Sequence, residues 1–230
     1  MRQLTLAALL AAALILWAAF PAAAAPNLYG TSGLIEVPDD IIHPVGSISP
    51  AYHVIVNPGD SSNNLNFFTV ETGIVPNLSI SGGVVSDGGT EALVNAKYRL
   101  SPETIERPSI TIGVVDAASK LDPDSPGLYI AFAKNLTAAA EEVAGRESKP
   151  LRGHLGFGTG VLKGVFIGLN WTLTPKLSAM FEYLSSGMVP EDMHLNGGAR
   201  LALTNELRLD VGLVDFKDFT AGISYNVRKF

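Results

Sequence analysis

Residues 207–228 read LRLDVGLVDFKDFTAGISYNVR, and this stretch decides the fold of the chain. Two runs of alternating apolar and polar residues flank the short segment 215–218. The apolar members of the two runs are Leu207, Leu209, Val211, Leu213, Phe219, Ala221, Ile223, Tyr225 and Val227. Because successive side chains of a strand point to opposite faces, this pattern predicts a β-hairpin with one continuous apolar face.

The same pattern recurs through most of the chain, separated by Gly, Pro, Asn, Asp and Ser residues that are typical of turns. It predicts twelve strands, each of a length close to what a tilted strand needs to cross a bilayer. The predicted strands are residues 46–56, 64–74, 77–85, 91–100, 108–116, 127–135, 152–160, 163–173, 177–186, 193–203, 206–214 and 218–228.

The polar faces of these strands distinguish a membrane barrel from a soluble sandwich, which also alternates. They are rich in Gly, Ser, Thr and Asn, and the whole chain is 47% hydrophobic but only 17% charged. Small polar residues suit the interior of a barrel whose outside contacts lipid. We therefore expect an all-β, closed, antiparallel, up-and-down transmembrane β-barrel. Aromatic residues expected near strand ends on the apolar face, as in an interfacial girdle, are Tyr52, Tyr98, Trp171, Tyr183 and Tyr225.

The first 25 residues have the organisation of a cleaved secretory signal peptide. Arg2 precedes an apolar run rich in Leu and Ala, which ends in small residues. Its removal changes the net charge from −6 to about −7, because Arg2 is the only charged residue in it. The predicted organisation is a signal peptide (1–25), an N-terminal leader or plug segment (26–45) and a β-barrel (46–230).

The barrel is expected in the outer membrane, in contact with lipid. The aromatic C-terminal Phe230 predicts a further partner, the barrel-insertion machinery, which would read the last strand. With an even strand number, both termini are expected in the periplasm. The loops near 57–63, 86–90, 117–126 and 187–192 then face outside, and residues 137–147 are a candidate short helix in one long connection.

Composition argues against several other functions. The chain has no cysteine, which excludes a lipoprotein anchor and a thiolate metal site. It has no basic block, which argues against a nucleic-acid partner. No metal-spaced histidine pair or G-x-S-x-G element is present, so we expect no metal, no cofactor and no catalytic residue. Acidic pairs at Asp39-Asp40 and Asp122/Asp124 are expected to be solvated loop residues.

Charged residues on the inferred inner face form the one candidate site. Acids and bases there can pair across strands, and a charge in a confined interior is costly unless it is paired or hydrated. A structural salt-bridge network is favoured over a selective solute path, although both remain open. The predicted lumen charges are Glu71, Glu91, Lys97, Arg99, Glu182, Arg200, Arg208, Asp210 and Arg228.

The segment before the first strand carries a motif, Gly30-Thr-Ser-Gly33-Leu34-Ile-Glu-Val-Pro38. It resembles the N-terminal G-x-x-G-L-I-x-x-P element of YjbH-like outer-membrane proteins, of which this chain would be a compact member. The resemblance covers about twenty residues closely and implies a link to exopolysaccharide production or export, with a polysaccharide as partner. From the residues alone, the segment is either a plain leader or a plug in the barrel mouth.

Together these features predict a non-catalytic outer-membrane barrel with a largely occluded lumen. Its expected role is exopolysaccharide export or cell-envelope assembly. The alternative is a small passive pore or a purely structural barrel. A twelve-stranded barrel is wider than the eight-stranded type that side chains fill and narrower than an open porin of sixteen strands, so strand number leaves the choice open.

Overall fold

The computed structural model describes residues 24–122, 124–138, 149–186 and 194–227. It contains twelve strands, which confirms the predicted fold class, and each lies within three residues of its predicted bounds. The strands are β1 (Ile48–Ile55), β2 (Leu65–Val75), β3 (Leu78–Ser86), β4 (Glu91–Ser101), β5 (Ser109–Val115), β6 (Gly127–Asn135), β7 (Leu151–Gly158), β8 (Gly164–Thr174), β9 (Leu177–Leu184), β10 (His194–Ala202), β11 (Leu207–Val214) and β12 (Asp218–Tyr225).

Every strand pairs antiparallel with its neighbours in sequence, and β1 pairs with β12 to close the barrel. The closing register places Ala51 opposite Ser224. Short hairpins connect most neighbours: Pro76 and Asn77 alone separate β2 from β3, and Asn77 takes a positive φ of 69°. Closure provides hydrogen-bond partners for the backbone N–H and C=O groups of the edge strands. A sheet can lie in a bilayer only when these groups are paired.

The two faces of the wall separate as the sequence predicts. The outward face carries exposed apolar side chains on all twelve strands, such as Phe68, Val94 and Phe181. The inward face carries buried polar and small residues, such as Ser49, Thr111 and Asn196. An apolar exterior around a polar interior is the arrangement of a transmembrane barrel, so the protein lies in an outer membrane. Within the described residues, no helix is both long and apolar enough to span a bilayer.

The barrel has two distinct ends. The termini end holds the start of β1, the end of β12 and the β2–β3, β4–β5, β6–β7, β8–β9 and β10–β11 connections. The other, called the loop end, holds the remaining connections. Outward-facing Tyr98, Trp171 and Tyr225 lie near the termini end and Tyr183 near the loop end. Tyr52 lies mid-strand instead, where its hydroxyl donates to Asn66 Oδ1 at 2.8 Å.

Several predictions fall on residues outside the described ranges. These are the signal peptide except its last two residues, most of the candidate helix at 137–147, the whole of the loop at 187–192, and the positions of Arg228 and Phe230. They remain predictions.

Candidate functional site in the barrel lumen

Residues 24–43, called here the lumen segment, lie inside the barrel. All side chains from residue 24 to residue 40 are buried. The segment folds back on itself through backbone hydrogen bonds: Leu28 N donates to Ile35 O at 2.9 Å, and Leu34 N donates to Val37 O at 2.9 Å. These internal bonds satisfy part of a buried backbone that has no sheet partner.

The motif residues shape this fold. Gly30 has a φ of +85°, and a Cβ there would lie 2.5 Å from Thr69 of the wall, so only glycine fits. At Gly33 a Cβ would meet the backbone oxygen of Val37 at 2.5 Å. Gly33 and Pro38 form an antiparallel bridge. The motif therefore builds a tight double turn that brings Leu34 against the wall.

The apolar side chains of the segment pack against glycines of the wall. An added Cβ at Gly168 would lie 3.0 Å from Leu34, and one at Gly212 would lie 3.3 Å from Ile35. The wall glycines thus leave room for the segment. Toward the loop end, apolar wall residues complete two clusters around the segment, each buried Leu, Ile or Val contributing roughly 1.5–3 kcal/mol. These residues, which lie on the strands except for the last two named, from the β7–β8 connection, are Ile55, Phe67, Val85, Leu93, Val115, Tyr129, Ala131, Phe166, Met180, Leu184, Val214, Val161 and Leu162.

Glu182 of β9 holds the tip of the turn. Its carboxylate accepts hydrogen bonds from three consecutive backbone N–H groups: Ile35 at 2.7 Å, Glu36 at 3.0 Å and Val37 at 2.9 Å. Asn196 Nδ2 also donates to Glu182 Oε2, and to Glu36 Oε1, each at 3.1 Å. Successive N–H groups that converge on an anion form a nest, and here the anion is supplied by the wall.

Lys97 of β4 holds the opposite side of the segment. Its ammonium group is 1% exposed and donates to Ser32 O at 3.0 Å, to Ser32 Oγ and to Asp39 Oδ1 at 3.1 Å. A buried ammonium requires such partners, because its desolvation is costly. All the hydrogen bonds that Lys97 makes in the described residues go to the lumen segment.

Arg152 of β7 and Ser109 of β5 hold Asp40. The Arg152 Nη2 atom lies 3.0 Å from both carboxylate oxygens, and the Ser109 hydroxyl donates to Oδ2 at 2.6 Å. Burial alone would raise the pKa of Asp40, but the nearby guanidinium and the Ser109 hydroxyl outweigh it and hold that pKa below its usual value. Arg152 also pairs with Glu103 at 2.9 Å.

Arg200 of β10 joins the segment to the wall. Its Nε lies 2.7 Å from Asp210 Oδ1, while Nη1 and Nη2 donate to the backbone oxygens of Gly33 at 2.9 Å and Leu34 at 3.2 Å. Strands β4 and β10 lie six strands apart in the ring of twelve, and so face each other across the barrel. Since Lys97 and Arg200 both bind the segment, it spans the full diameter of the lumen.

Buried histidines and a tyrosine extend the network. His43 Nε2 of the segment lies 3.1 Å from Glu71 Oε2, and His53 Nε2 lies 3.5 Å from Asp210 Oδ2. The Tyr29 hydroxyl donates to Glu36 Oε2 at 2.6 Å. Burial, with the Glu36 carboxylate beside it, raises the pKa of Tyr29 well above its usual value, so it remains a neutral donor. An interior cavity of about 20 Å³ lies between Leu28, Ile35 and Asp210.

The geometry can be compared with known proteins. No protein-family model matches the sequence, and no curated protein matches it. The KdgM porin has a similar structure, with a TM-score of 0.50 at 10% identity over 80% of this chain and 99% of that chain. Omp33 of Acinetobacter baumannii has a TM-score of 0.42 at 10% identity, over 80% and 98% of the two chains.

The chain has the fold of an outer-membrane porin. At 10% identity the similarity to the KdgM porin shows the fold alone.

The structure brings together five of the nine predicted lumen charges around the segment: Glu71, Lys97, Glu182, Arg200 and Asp210. Arg208 is inward-facing and buried near the termini end. Arg99 and Glu91 stand apart from the segment. Arg99 is half-buried at that rim and donates to Asn77 Oδ1 at 3.0 Å, and Arg228 lies outside the described residues. Glu91 shares the inward parity of β4 but is exposed at the loop end, 3.8 Å from Lys120.

The expectation that Asp39 and Asp40 are solvated is wrong. Both are buried, at 6% and 7% exposure, and each is paired with a wall cation. The physical reason is that the chain before β1 turns into the lumen rather than along the surface. Asp122 and Asp124 are not part of this site; Asp122 accepts a local hydrogen bond from Asp124 N.

The sequence prediction omitted several buried residues in and around the segment. Arg152 and His154 alternate with Leu151 and Gly153 in β7, so strand parity alone would have placed them inside. Asn95 and Asn196 were on the predicted polar face, but neutral residues were not counted. Glu36 carries no such signal, because its segment has no strand periodicity. Among the described residues, no group of three or more His, Asp or Glu side chains is arranged to hold a metal ion.

Proposed function

We propose that this protein is a non-catalytic outer-membrane barrel, closed at rest by its own lumen segment, that serves the export of an envelope polysaccharide. One observation carries the proposal: the segment crosses the lumen from Lys97 to Arg200 and is held at both sides. A lumen filled in this way suits controlled passage or assembly better than free diffusion. The polysaccharide is supported by the resemblance of the 30–38 motif to YjbH-like proteins.

The test is a strain that lacks the protein. Secreted polysaccharide should fall when the gene is removed, and return when the intact chain is supplied. A variant with Lys97→Met and Arg200→Met weakens both anchors of the segment. It should not restore the wild-type level of secreted polysaccharide: the level should be lower if the closed barrel is needed for assembly, or higher if the segment normally restricts passage. An exposed-rim variant, Lys120→Gln, is the matched control and should restore secretion fully. Unchanged secretion in the strain without the protein would exclude the export role.

The second candidate is a small passive pore. The fold shared with the KdgM porin favours it, whereas the occupied lumen opposes it. A passive pore should admit small neutral solutes in the intact protein. Liposome swelling separates the two functions, because the closed barrel should admit such solutes only after the segment is removed.

A further inference from the structure

Part of the lumen wall near the termini end forms a polar patch, defined here as Lys97, Ser109, Thr111, Arg152 and His154. These side chains lie on β4, β5 and β7. The intervening strand β6 presents the small, buried side chains of Ala131 and Ala133 between β5 and β7. The patch therefore offers two cations, two hydroxyls and an imidazole on one side of the barrel.

Two adjacent carboxylates of the lumen segment occupy this patch. Asp39 lies 3.1 Å from Lys97, and Asp40 is held by Arg152 at 3.0 Å and by Ser109 at 2.6 Å. The segment thus presents two successive acidic groups to cations and a hydroxyl of the wall. A linear polymer with a carboxylate on successive units would make the same contacts.

The wall also carries buried polar atoms for which the segment supplies no partner. Among the described residues, Thr111 Oγ1 and both ring nitrogens of His154 have no hydrogen-bond partner. The same is true of inward-facing polar atoms on other strands: Ser49 Oγ, Thr69 Oγ1, Asn170 Oδ1 and Ser224 Oγ. Buried polar groups are normally hydrogen-bonded, and a ligand rich in hydroxyl groups would supply both donors and acceptors for them.

We infer that the polar patch is a binding site for an acidic oligosaccharide, and that Asp39 and Asp40 take the place of its carboxylates at rest. The two cations would bind the carboxylates of the ligand. The unpartnered hydroxyl, amide and imidazole atoms would form hydrogen bonds with its hydroxyl groups. This inference rests on the proposed export function and adds the substrate class to it. Displacement of the segment by the polymer would then couple binding to opening.

The test uses the purified full chain in detergent and three probes: an oligomer of galacturonate, a glucose oligomer of the same length, and polyphosphate. The double variant Asp39→Asn and Asp40→Asn keeps the shape of the segment but weakens its hold on the patch. Its apparent Kd for the galacturonate oligomer should be about tenfold lower than that of the wild type, which is the scale of one charge-assisted hydrogen bond.

Addition of Arg152→Gln to that double variant should reverse its increase in affinity for the galacturonate oligomer. Addition of Lys120→Gln, a change of the same type at the exposed loop-end rim, should leave the gain intact. Heat-modifiable migration on a gel confirms that each variant is folded. If the double variant gives no heat-modifiable barrel, the single Asp40→Asn variant carries the same test, since it retains the pair between Lys97 and Asp39.

Several results would overturn the inference. One is an unchanged affinity for the galacturonate oligomer in the folded double or single variant. Others are an affinity for the glucose oligomer or for polyphosphate equal to that for the galacturonate oligomer, or an affinity for the galacturonate oligomer that Arg152→Gln does not reduce. The secretion experiment is independent of these measurements. A strain that loses secretion without the protein, combined with no gain of acidic binding, would retain the export function and remove the acidic substrate site.

Discussion

At the scale of single residues, the lumen segment is held by wall side chains whose charges or amides are buried with it. Glu182, Lys97 and Arg200 each bind backbone atoms of the segment. Backbone atoms buried away from a sheet need such partners. The wall therefore recognises the path of the segment as much as its composition.

Glu182→Ala should strongly destabilise the closed barrel. The change leaves the consecutive N–H groups of residues 35–37 without their acceptor, and loss of charge-assisted hydrogen bonds of this kind costs about 3 kcal/mol. Urea unfolding of the purified protein in detergent micelles measures this loss. Glu91→Ala is the matched control, because its exposed carboxylate should contribute within about 0.5 kcal/mol. Equal losses in the two variants would contradict the role of Glu182.

The bond between Asp40 and Arg152 should make stability depend on acid pH. The folded pKa of Asp40 lies below its unfolded value of about 3.9. Its contribution is therefore fully present above the unfolded pKa and is lost as pH falls through the lower folded pKa. Asp40→Asn should lower stability at neutral pH and flatten the decline below about pH 4. Unfolding free energies measured across that range test this, and an unchanged slope in Asp40→Asn would disprove it.

Sequence reasoning reached only part of this residue-level picture. Strand parity placed Glu71, Lys97, Glu182, Arg200 and Asp210 inside, because parity is a local property of a strand. It did not reveal that their partners lie in the segment, since Glu182 and Ile35 are 147 residues apart in the chain. Glu91 shows the other limit: parity gives the face of a residue but not its depth in the barrel.

At the scale of elements, the strands were predictable, whereas the sequence left open whether residues 26–45 form a plain leader or a plug. Alternation and turn residues are local signals, and they located all twelve strands of the barrel. The segment shows neither the two-residue hydrophobic period of a strand nor the 3.6-residue period of a helix, because it packs against wall side chains and not against a neighbouring strand or helix. Its glycines at 30 and 33 showed tight turns, but whether these lie in the lumen or on the surface depends on tertiary contacts.

The orientation of the elements can be tested by labelling. With both termini in the periplasm, the loop end faces outside. Single cysteines introduced at Asp87 and Asp124 should therefore react with a membrane-impermeant reagent on intact cells. Cysteines at Pro175 and Asn205, at the termini end, should react only after the outer membrane is permeabilised. The reverse pattern would show that the barrel is inserted the other way.

At the scale of the whole molecule, the barrel and its lumen segment form one closed unit. The wall supplies cations toward the termini end and apolar residues toward the loop end, and the segment is complementary to both. Twelve strands enclose a lumen too wide for wall side chains alone to fill. The lumen segment, and not the wall, should therefore block the passage.

Conductance in planar bilayers tests this central claim most directly. The intact protein should show little steady conductance, whereas a variant without residues 26–43 should show stable openings, because the wall side chains alone are expected not to fill a barrel of twelve strands. That variant retains Gly46, whose N–H donates to Gly73 O of β2 at 2.9 Å. The backbone contact that positions the chain just before β1 is therefore preserved. The Lys120→Gln barrel is the control and should remain closed. Large, stable openings in the intact protein, or a silent barrel after removal of the segment, would contradict the account.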